Sequence, residues 1–294
     1  MNQSRPLIFG EVLFDCFPDG REVLGGAPFN VAWNLQAFGR HPLFISRIGD
    51  DQRGRQIKEI MKFWSMNTDF LQHDQSRPTG RVDITLTDGE PRFAIHPDQA
   101  YDHISSSIPR ITETPAFLYH GSLALRNDVN RTTLTDLKRL YPSPVFLDAN
   151  LRKPWWNRDA VLAMIEEATW LKLNDDECRT LFPDQQDLHS CGAMLLDRFK
   201  LQAVFITMGA KGATAYLPDS APLAVEQGSR VTIVDTVGAG DAFSSVLLLG
   251  LTLGWPVQRT LDRAQEFASA VVGQRGATSQ HKEFYQIFND RWIP

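Results

Sequence analysis

Short apolar segments separated by helix-like segments are the feature of this sequence that most limits its fold. Seven runs suit one buried strand each, at 6–10, 42–49, 116–121, 144–150, 169–174, 203–209 and 230–235. Amphipathic segments that suit helices lie between several of them, at 29–38, 54–65, 130–140, 157–168 and 186–199. Continuous apolar strands that alternate with helices predict an α/β fold, with a mostly parallel central sheet and helices on both of its faces.

Two other stretches carry the signature of antiparallel hairpins. Residues 11–26 and 80–96 each contain an Asp-Gly pair between strand-like residues, and Asp-Gly is a strong hairpin signal. We expect a small sheet beside the main body, with strands inserted at about 11–25 and 79–97 of a single domain spanning 1–294. This sheet would serve as a lid over a site, as a dimer contact, or as both.

Composition and charge limit the class of partner and the compartment. The formal net charge is −5, which argues against general nucleic-acid binding. Three cysteines without a C-x-x-C pair lead us to expect neither a disulfide framework nor a zinc site, as suits a reducing cytoplasm. The first 15 residues do not resemble a signal peptide, and the longest apolar stretch, 246–253, is too short to span a membrane.

Polar residues follow four of the predicted strands. The carboxyl ends of parallel strands form the edge where open α/β sheets bind ligands. Helix capping explains any one of these sets, but four at one edge favour a binding site. The sets are Asp148, Asn150 and Arg152; Asn174 with 175–177; Thr207, Gly209 and Gly212; and Asp235 with Thr236.

The loop 236–240 lies directly before an apolar helix and contains three small residues in a row. Successive N–H groups at a helix start attract an anion such as a phosphate. Asp241 follows in the first turn, where the helix dipole favours an ionised carboxylate that can orient a hydroxyl. Phosphoryl transfer needs such positioning more than it needs a strong base. Taken alone, the stretch fits a simple helix cap equally well.

A second glycine pair precedes another predicted helix. Gly25 and Gly26 are followed by Asn30 in the first turn, and Asp15 lies upstream in an otherwise apolar strand. Burying an aspartate is costly unless it binds something. Asp15 and Asn30 suit sugar hydroxyls, although an exposed strand position and a turn explain these residues equally well.

Several nucleotide and metal motifs are missing. The sequence has no P-loop, no protein-kinase motif set and no H-E-x-x-H spacing. A dinucleotide fingerprint fails at 238–243, because Phe243 occupies the place of its last glycine. A nicotinamide dehydrogenase is therefore disfavoured.

Taken together, these residues resemble the ribokinase (PfkB) family of carbohydrate kinases over nearly the whole chain. The stretch 25–39, GGAPFNVAWNLQAFG, resembles the first family signature, and 235–245, DTVGAGDAFSS, resembles the second and more specific one. Four shorter motifs fall in the family's order: GDDQRG (49–54), DANLR (148–152), NDDE (174–177) and ITMGAKGA (206–213).

The resemblance implies transfer of a phosphoryl group from ATP to a sugar hydroxymethyl group, with Mg²⁺. Asp241 would be the catalytic base, and Gly238, Ala239 and Gly240 would form the anion hole. The sugar would be held by Asp15, Gly26, Asn30 and Arg152. ATP would be held by Asn174, Thr207, Gly209 and Gly212, and Glu177 would organise Mg²⁺ through water. Some members also bind a monovalent cation such as K⁺, for which Asp235 in the loop 235–237 and the loop 271–280 are the matching segments.

The glycine pair and the D-x-N-L-R motif are closest to the fructokinase-like branch, which makes fructose the expected sugar. Two features depart from the pattern: Ala149 replaces the usual proline, and four bulky aromatic residues would reshape the pocket unless they belong to the core (Phe29, Trp33, Trp155 and Trp156). The alternatives within the family are 2-keto-3-deoxygluconate kinase, ribokinase and a nucleoside or aminoimidazole-riboside kinase. A non-catalytic sugar-binding regulatory protein is the alternative of another class.

Overall fold

Strands and helices alternate along most of the chain. The computed structural model describes residues 4–87, 90–185, 187–226 and 232–293. The strands are β1 (Leu7–Phe9), β2 (Leu13–Cys16), β3 (Glu22–Gly25), β4 (Leu43–Gly49), β5 (Leu71–Asp74), β6 (Gly80–Thr87), β7 (Glu90–Ile95), β8 (Leu118–His120), β9 (Val145–Asp148), β10 (Trp170–Asn174), β11 (Ala203–Thr207), β12 (Ala213–Tyr216) and β13 (Leu223–Val225). The α-helices are α1 (Ala27–Ala37), α2 (Gln52–Phe63), α3 (Asp128–Leu140), α4 (Arg158–Glu166), α5 (Asp175–Leu181), α6 (Leu188–Phe199), α7 (Ala239–Leu253), α8 (Val257–Val272) and α9 (Lys282–Trp292).

The central sheet has nine strands in the order β13-β12-β11-β10-β9-β8-β1-β4-β5. The strands from β11 to β5 pair in parallel, and β12 and β13 add an antiparallel edge. The predicted α/β fold with a mostly parallel sheet is confirmed. The carboxyl ends of β9, β10 and β11 meet at one edge, where the predicted polar residues follow them.

Helices cover the sheet on both faces, which explains why its strands are apolar throughout. Leu7 and Phe9 point into one core, with side chains from α3, α4, α5 and α6. Ile8 points into the opposite core, with side chains from α1, α2, α7, α8 and α9. Phe29 and Trp33 belong to this second core and are 1% exposed, so they do not shape a pocket.

A second sheet of four strands, in the order β3-β2-β6-β7, packs beside the first. The β2–β3 and β6–β7 pairs are antiparallel, whereas β2 and β6 pair in parallel. Gly20 N closes the first Asp-Gly turn by donating to Phe17 O. The second Asp-Gly pair, residues 88–89, lies outside the described residues.

Asp51 ties the start of β6 to the main body. Its carboxylate caps α2 by accepting from Gly54 N at 2.8 Å. The same group accepts from the backbone N and the hydroxyl of Thr79, both at 2.7 Å. The motif 49–54 therefore anchors the second sheet and does not itself line the cavity described below.

Two local expectations differ from the structure. Residues 232–235 form no strand; instead the backbone N of Val234 and of Asp235 donates to Val272 O at the end of α8. The other two residues of that predicted strand, 230 and 231, lie outside the described part.

Cys178 and Cys191 form a disulfide, although the sequence led us to expect none. The two cysteines are 13 residues apart, and the packing of α5 against α6 buries both of them together. Among the described residues, no helix has the length and apolarity needed to cross a bilayer.

Candidate active site

A cavity of about 760 Å³ lies between the carboxyl ends of the central strands and the second sheet. Most of the predicted site residues line it, namely Asp15, Gly26, Asn30, Arg152, Asn174, Glu177, Thr207, Gly238, Gly240 and Asp241. Leu13, Val82, Phe93 and Ile95 of the second sheet also line it. The structure thus brings both glycine-led helices and three strand ends to one cleft.

The backbone turn before α7 requires glycine. Gly238 has φ +80°, and a Cβ on it would come within 2.3 Å of Ala277 Cβ. α7 starts directly afterwards at Ala239, so that N–H groups of its first turn lie at the cavity. This is the geometry that binds an anion at a helix start.

Asp241 lies half-buried in the first turn of α7. Its Oδ2 accepts a hydrogen bond from Asn30 Nδ2 at 2.7 Å. Burial and the neighbouring Asp148 carboxylate raise the pKa of Asp241, against the opposing effect of the Asn30 hydrogen bond, Lys172 and Arg152. The bond fixes one oxygen of the carboxylate.

A buried ion pair lies beneath the glycine loop. Lys172 Nζ is 2.9 Å from both carboxylate oxygens of Asp148, and the two side chains come from neighbouring strands. Ser244 Oγ donates to Asp148 Oδ2 at 2.7 Å, which attaches α7 to the pair. A Cβ on Gly240 would lie 3.7 Å from Lys172 Nζ, so the ammonium group is next to the loop. Burial lowers the pKa of Lys172, but Asp148 and Glu177 oppose this and the net pKa is raised.

Asp15 lies on the face of the second sheet that is turned toward the cavity. In the strand register it lies opposite Val82, which in turn lies opposite Ile95. Burial in these apolar surroundings raises the pKa of Asp15 to about 6, and Arg152 opposes the shift. Gly26 starts α1 with φ +105°, and a Cβ there would be 2.7 Å from Glu11 O.

Asn174 and Glu177 form a reciprocal cap at the start of α5. Asn174 Oδ1 accepts from Glu177 N, and Glu177 Oε2 accepts from Asn174 N, both at 2.8 Å. Glu177 Oε1 accepts from Leu151 N at 2.7 Å. Burial raises the pKa of Glu177, although Lys172 and these backbone donors favour its ionised form.

The predicted nucleotide residues are not all at the cavity. Thr207 lines it at the end of β11, whereas Gly209 and Gly212 lie in the following turn, outside the cavity lining formed by the described residues. Gly212 has φ +90°, and a Cβ on it would be 1.9 Å from Val225 O, so backbone packing alone requires glycine there.

Asp235 connects the two loops that were predicted to flank a monovalent cation. Its Oδ1 accepts from Val237 N and its Oδ2 accepts from Gly276 N, both at 3.0 Å. Neither Asp235 nor Ala239 lines the cavity formed by the described residues. Asp235 thus holds the two loops together through backbone contacts.

Among the described residues, the sequence reasoning missed three charged residues at the cavity, Glu11, Lys153 and Lys172. Lys172 interrupts the apolar run of β10, and an isolated charge in a buried strand was the available signal. Glu11 had no comparable signal, because it lies in a segment that was interpreted as hairpin. Of the four bulky aromatic residues, only Trp156 lines the cavity within the described chain.

Known proteins resemble this chain in both sequence and fold. The model of the pfkB family of carbohydrate kinases matches residues 17–283. Fructokinase-2 of Oryza sativa subsp. japonica is 30% identical over 271 residues, which cover 83% of this chain and 78% of that protein. Fructokinase of Escherichia coli is 28% identical over 293 residues, covering 92% and 94%.

A crystal structure of fructokinase from Vibrio cholerae O395 with fructose, ADP and calcium superposes with a TM-score of 0.82. That protein is 26% identical, and the match covers 97% of this chain and 98% of that chain. The family model spans well over half of the sequence and includes both glycine-led helices. The chain therefore belongs to the pfkB family of carbohydrate kinases.

Proposed function

We propose that this carbohydrate kinase is an ATP-dependent fructokinase, which transfers the γ-phosphoryl group of ATP to a hydroxyl of fructose. The observation that carries the proposal is the position of Asp241, which is held by Asn30 beside the glycine turn that starts α7. Relatives named fructokinases, and the Vibrio cholerae structure with fructose and ADP, support the choice of sugar.

In the proposed reaction, a sugar hydroxyl lies between Asp241 and the phosphate. Its oxygen forms a bond to the γ-phosphorus as the bond from that phosphorus to the bridging oxygen breaks, and ADP leaves. The proton of the hydroxyl passes to Asp241. Backbone N–H groups at Gly238 and Gly240 stabilise the charge on the transferring group, and the positive end of α7 adds to this effect. The N–H of Ala239, which donates to Thr236 O at 3.4 Å, joins them when the phosphate binds.

The sugar is held on the side of the cavity that faces the second sheet. Asp15 and Asn30 supply acceptors and donors for hydroxyls, and Gly26 lets the sugar approach the backbone. Arg152 projects from the loop after β9 and acts on the charge of Asp15 and Asp241. An uncharged polyol suits this polar set better than a flat apolar ligand does.

ATP is held on the opposite side, at Asn174, at Thr207 and in the turn that contains Gly209 and Gly212. Mg²⁺ fits at Glu177 through water: both carboxylate oxygens are fixed by backbone N–H groups, and each keeps a lone pair for a metal-bound water. Within the described residues, no cluster of acidic, histidine or cysteine side chains would hold a metal directly. When bound, the ion neutralises phosphate charge.

A monovalent cation such as K⁺ would lie beside the anion hole. Asp235 brings the loop 235–237 next to Gly276, and the carbonyl oxygens of these two segments are suitable ligands. The bound cation would make the glycine loop 236–240 more rigid. Adding K⁺ should then raise turnover more than it changes the KM for the sugar.

The second sheet acts as a lid in this proposal, inserted at about 11–25 and 79–97 into one domain that spans the chain. Closure over the sugar excludes water and so suppresses ATP hydrolysis. The same sheet offers a surface for a homodimer. The proposed compartment is the cytoplasm, but the Cys178–Cys191 disulfide means that the cysteines no longer support this expectation.

A screen for ADP release tests the proposal. Fructose, ribose, 2-keto-3-deoxygluconate and nucleosides are compared at equal concentrations with ATP and Mg²⁺, with and without K⁺. Fructose is expected to give the largest kcat/KM. Faster turnover of another sugar would overturn the specificity and leave the kinase assignment intact, whereas no turnover with any of them would contradict the enzymatic proposal.

A further inference from the structure

Glu11 is a buried residue of the cavity lining, and one of its carboxylate oxygens has no hydrogen-bond partner within the described part of the chain. The residue is 2% exposed and lines the cavity. Its Oε2 is buried, and no hydrogen-bond partner for it occurs among the described residues. The reaction proposed above has no use for this group.

Other buried carboxylates among the described residues have a cation beside them. Asp102, which is 0% exposed, accepts from Arg126 Nε at 2.7 Å and from Arg126 Nη2 at 2.6 Å. Asp148 accepts from Lys172 with both of its oxygens. Burial of a polar atom without a hydrogen-bond partner is costly. We therefore expect a ligand to donate the missing hydrogen bond to Glu11 Oε2.

The surroundings of Glu11 indicate what completes it. Its backbone carbonyl packs against Gly26, the residue that starts α1 and precedes Asn30. Burial raises its pKa to about 7, and Asp241 adds to this effect, whereas the backbone N–H of Glu11 itself, Arg152 and Arg126 oppose it. An anion bound directly at Glu11, away from the N–H groups of the glycine turn, would be repelled by the Glu11 carboxylate, whereas a neutral hydroxyl would donate a hydrogen bond to it.

We infer that Glu11 binds a hydroxyl of the acceptor sugar other than the one that receives the phosphate. This inference rests on the proposed function, because it takes the ligand of the cavity to be a sugar. Asp241 beside the anion hole serves the reacting hydroxyl. Glu11, on the segment that leads from β1 to β2, contacts the ring at another point and so determines which sugars bind well.

The test compares fructose with analogues that each lack one hydroxyl: 1-deoxyfructose, 3-deoxyfructose, 4-deoxyfructose and 2,5-anhydromannitol. Binding is measured without ATP, by tryptophan fluorescence and calorimetry, since Trp156 lines the cavity. Wild-type enzyme should bind one analogue roughly 10- to 100-fold more weakly than fructose because of the lost bond to Glu11. In Glu11→Ala this difference should fall below about threefold, while the differences for the other analogues stay unchanged.

Glu11→Gln serves as the shape-matched variant and shows whether the fold is retained. Its melting temperature without sugar should be at least that of the wild type, because a buried group without a partner loses its charge. A purely structural role predicts a lower melting temperature and an unchanged pattern of discrimination, and that result would overturn the inference. Equal losses for every analogue would do so too. If wild-type enzyme binds no fructose, the proposed function fails together with the inference; if it does bind fructose, only the inference is at stake.

Discussion

Asn30 Nδ2 donates a hydrogen bond to Asp241 Oδ2 over a separation of 211 residues. Asn30 lies in the first turn of α1, and Asp241 lies in the first turn of α7. Each of these helices is preceded by a glycine with positive φ, Gly26 or Gly238. The two glycine motifs of the sequence therefore meet as one site, with the sugar segment and the phosphate segment joined through side chains.

Asn30→Ala should weaken catalysis without unfolding the protein. The variant loses a charge-assisted hydrogen bond, which typically contributes about 1.5–3 kcal/mol, so kcat/KM for fructose should fall roughly 10- to 100-fold. Steady-state kinetics checks this. Gln36→Ala on the same helix is the control, because Gln36 bonds to Ser65 O at the exposed surface and should leave kinetics unchanged. Equal kinetics in Asn30→Ala and wild type would contradict a positioning role.

Lys172→Met should be strongly destabilising, because it leaves Asp148 buried without its cation. Removal of one partner of a buried pair costs about 3–5 kcal/mol, which urea denaturation would measure as a lower free energy of unfolding. The double variant Lys172→Met with Asp148→Asn removes both charges, and it should recover most of that loss.

Recovered stability should not restore activity in this double variant. The ammonium group lies next to the glycine loop, so its positive charge is expected to aid phosphate binding there. We expect kcat to stay at least about 10-fold below that of the wild type. A double variant with wild-type kcat would show that Lys172 has only a structural role.

The stability of the ligand-free protein should depend on pH through Glu11. Its pKa rises from an ordinary value of 4.5 to about 7 on folding, because of burial. Between these values the folded state keeps a proton that the unfolded state has lost, so stability falls as pH rises from about 4.5 to 7.

A pKa shift of this size lowers the free energy of unfolding by about 3 kcal/mol, and the full loss is reached above pH 7. Glu11→Gln should remove it, so the difference in unfolding free energy between variant and wild type should grow over this range. Parallel stability curves for the two proteins between pH 4.5 and pH 7 would contradict the assignment. Asp15, with a pKa near 6, adds a similar slope to both proteins and cancels in the difference.

Gly238 and Gly254 lie at opposite ends of α7, and both have a positive φ, but only Gly238 has close neighbours. Replacing each by alanine therefore distinguishes the effect of backbone strain from the effect of a steric clash. Gly238→Ala should lower both stability and kcat, because the new Cβ meets Ala277 and displaces the loop. Gly254 has φ +67°, and a Cβ on it would have no heavy atom within 4 Å. Gly254→Ala should therefore lower stability by only about 1–2 kcal/mol, through backbone strain, and leave kcat unchanged. Thermal unfolding and kinetics of the two variants provide the comparison. Comparable kcat in both would argue against an anion hole at Gly238.

The sequence was most informative where a few consecutive residues determine the local structure. The alternation of apolar runs with helix-like segments predicted the central sheet, and the small residues before α7 indicated Asp241 as a candidate site residue. Glycine was required at 238 by φ and by close packing, which a sequence pattern can signal. The fructokinase-like family was also identified from motifs alone, and the comparisons confirm it.

Contacts between residues that are distant in the chain could not be predicted from the sequence. Lys172 and Asp148 lie 24 residues apart on neighbouring strands, and only the strand order makes them a pair. Cys178 and Cys191 meet because α5 and α6 pack together. Glu11 is unusual because the fold buries its Oε2 without a hydrogen-bond partner among the described residues, which no local pattern could reveal.

If Asp241 is the catalytic base, the substitution Asp241→Asn should remove most of the activity. Asparagine keeps the shape and an oxygen for the Asn30 hydrogen bond, but it cannot take a proton from the sugar hydroxyl. Fructose-dependent ADP formation should have a kcat lower by roughly 10²- to 10⁴-fold, with unchanged thermal unfolding and retained fructose binding. A kcat within a few-fold of the wild type would show that Asp241 is not the base.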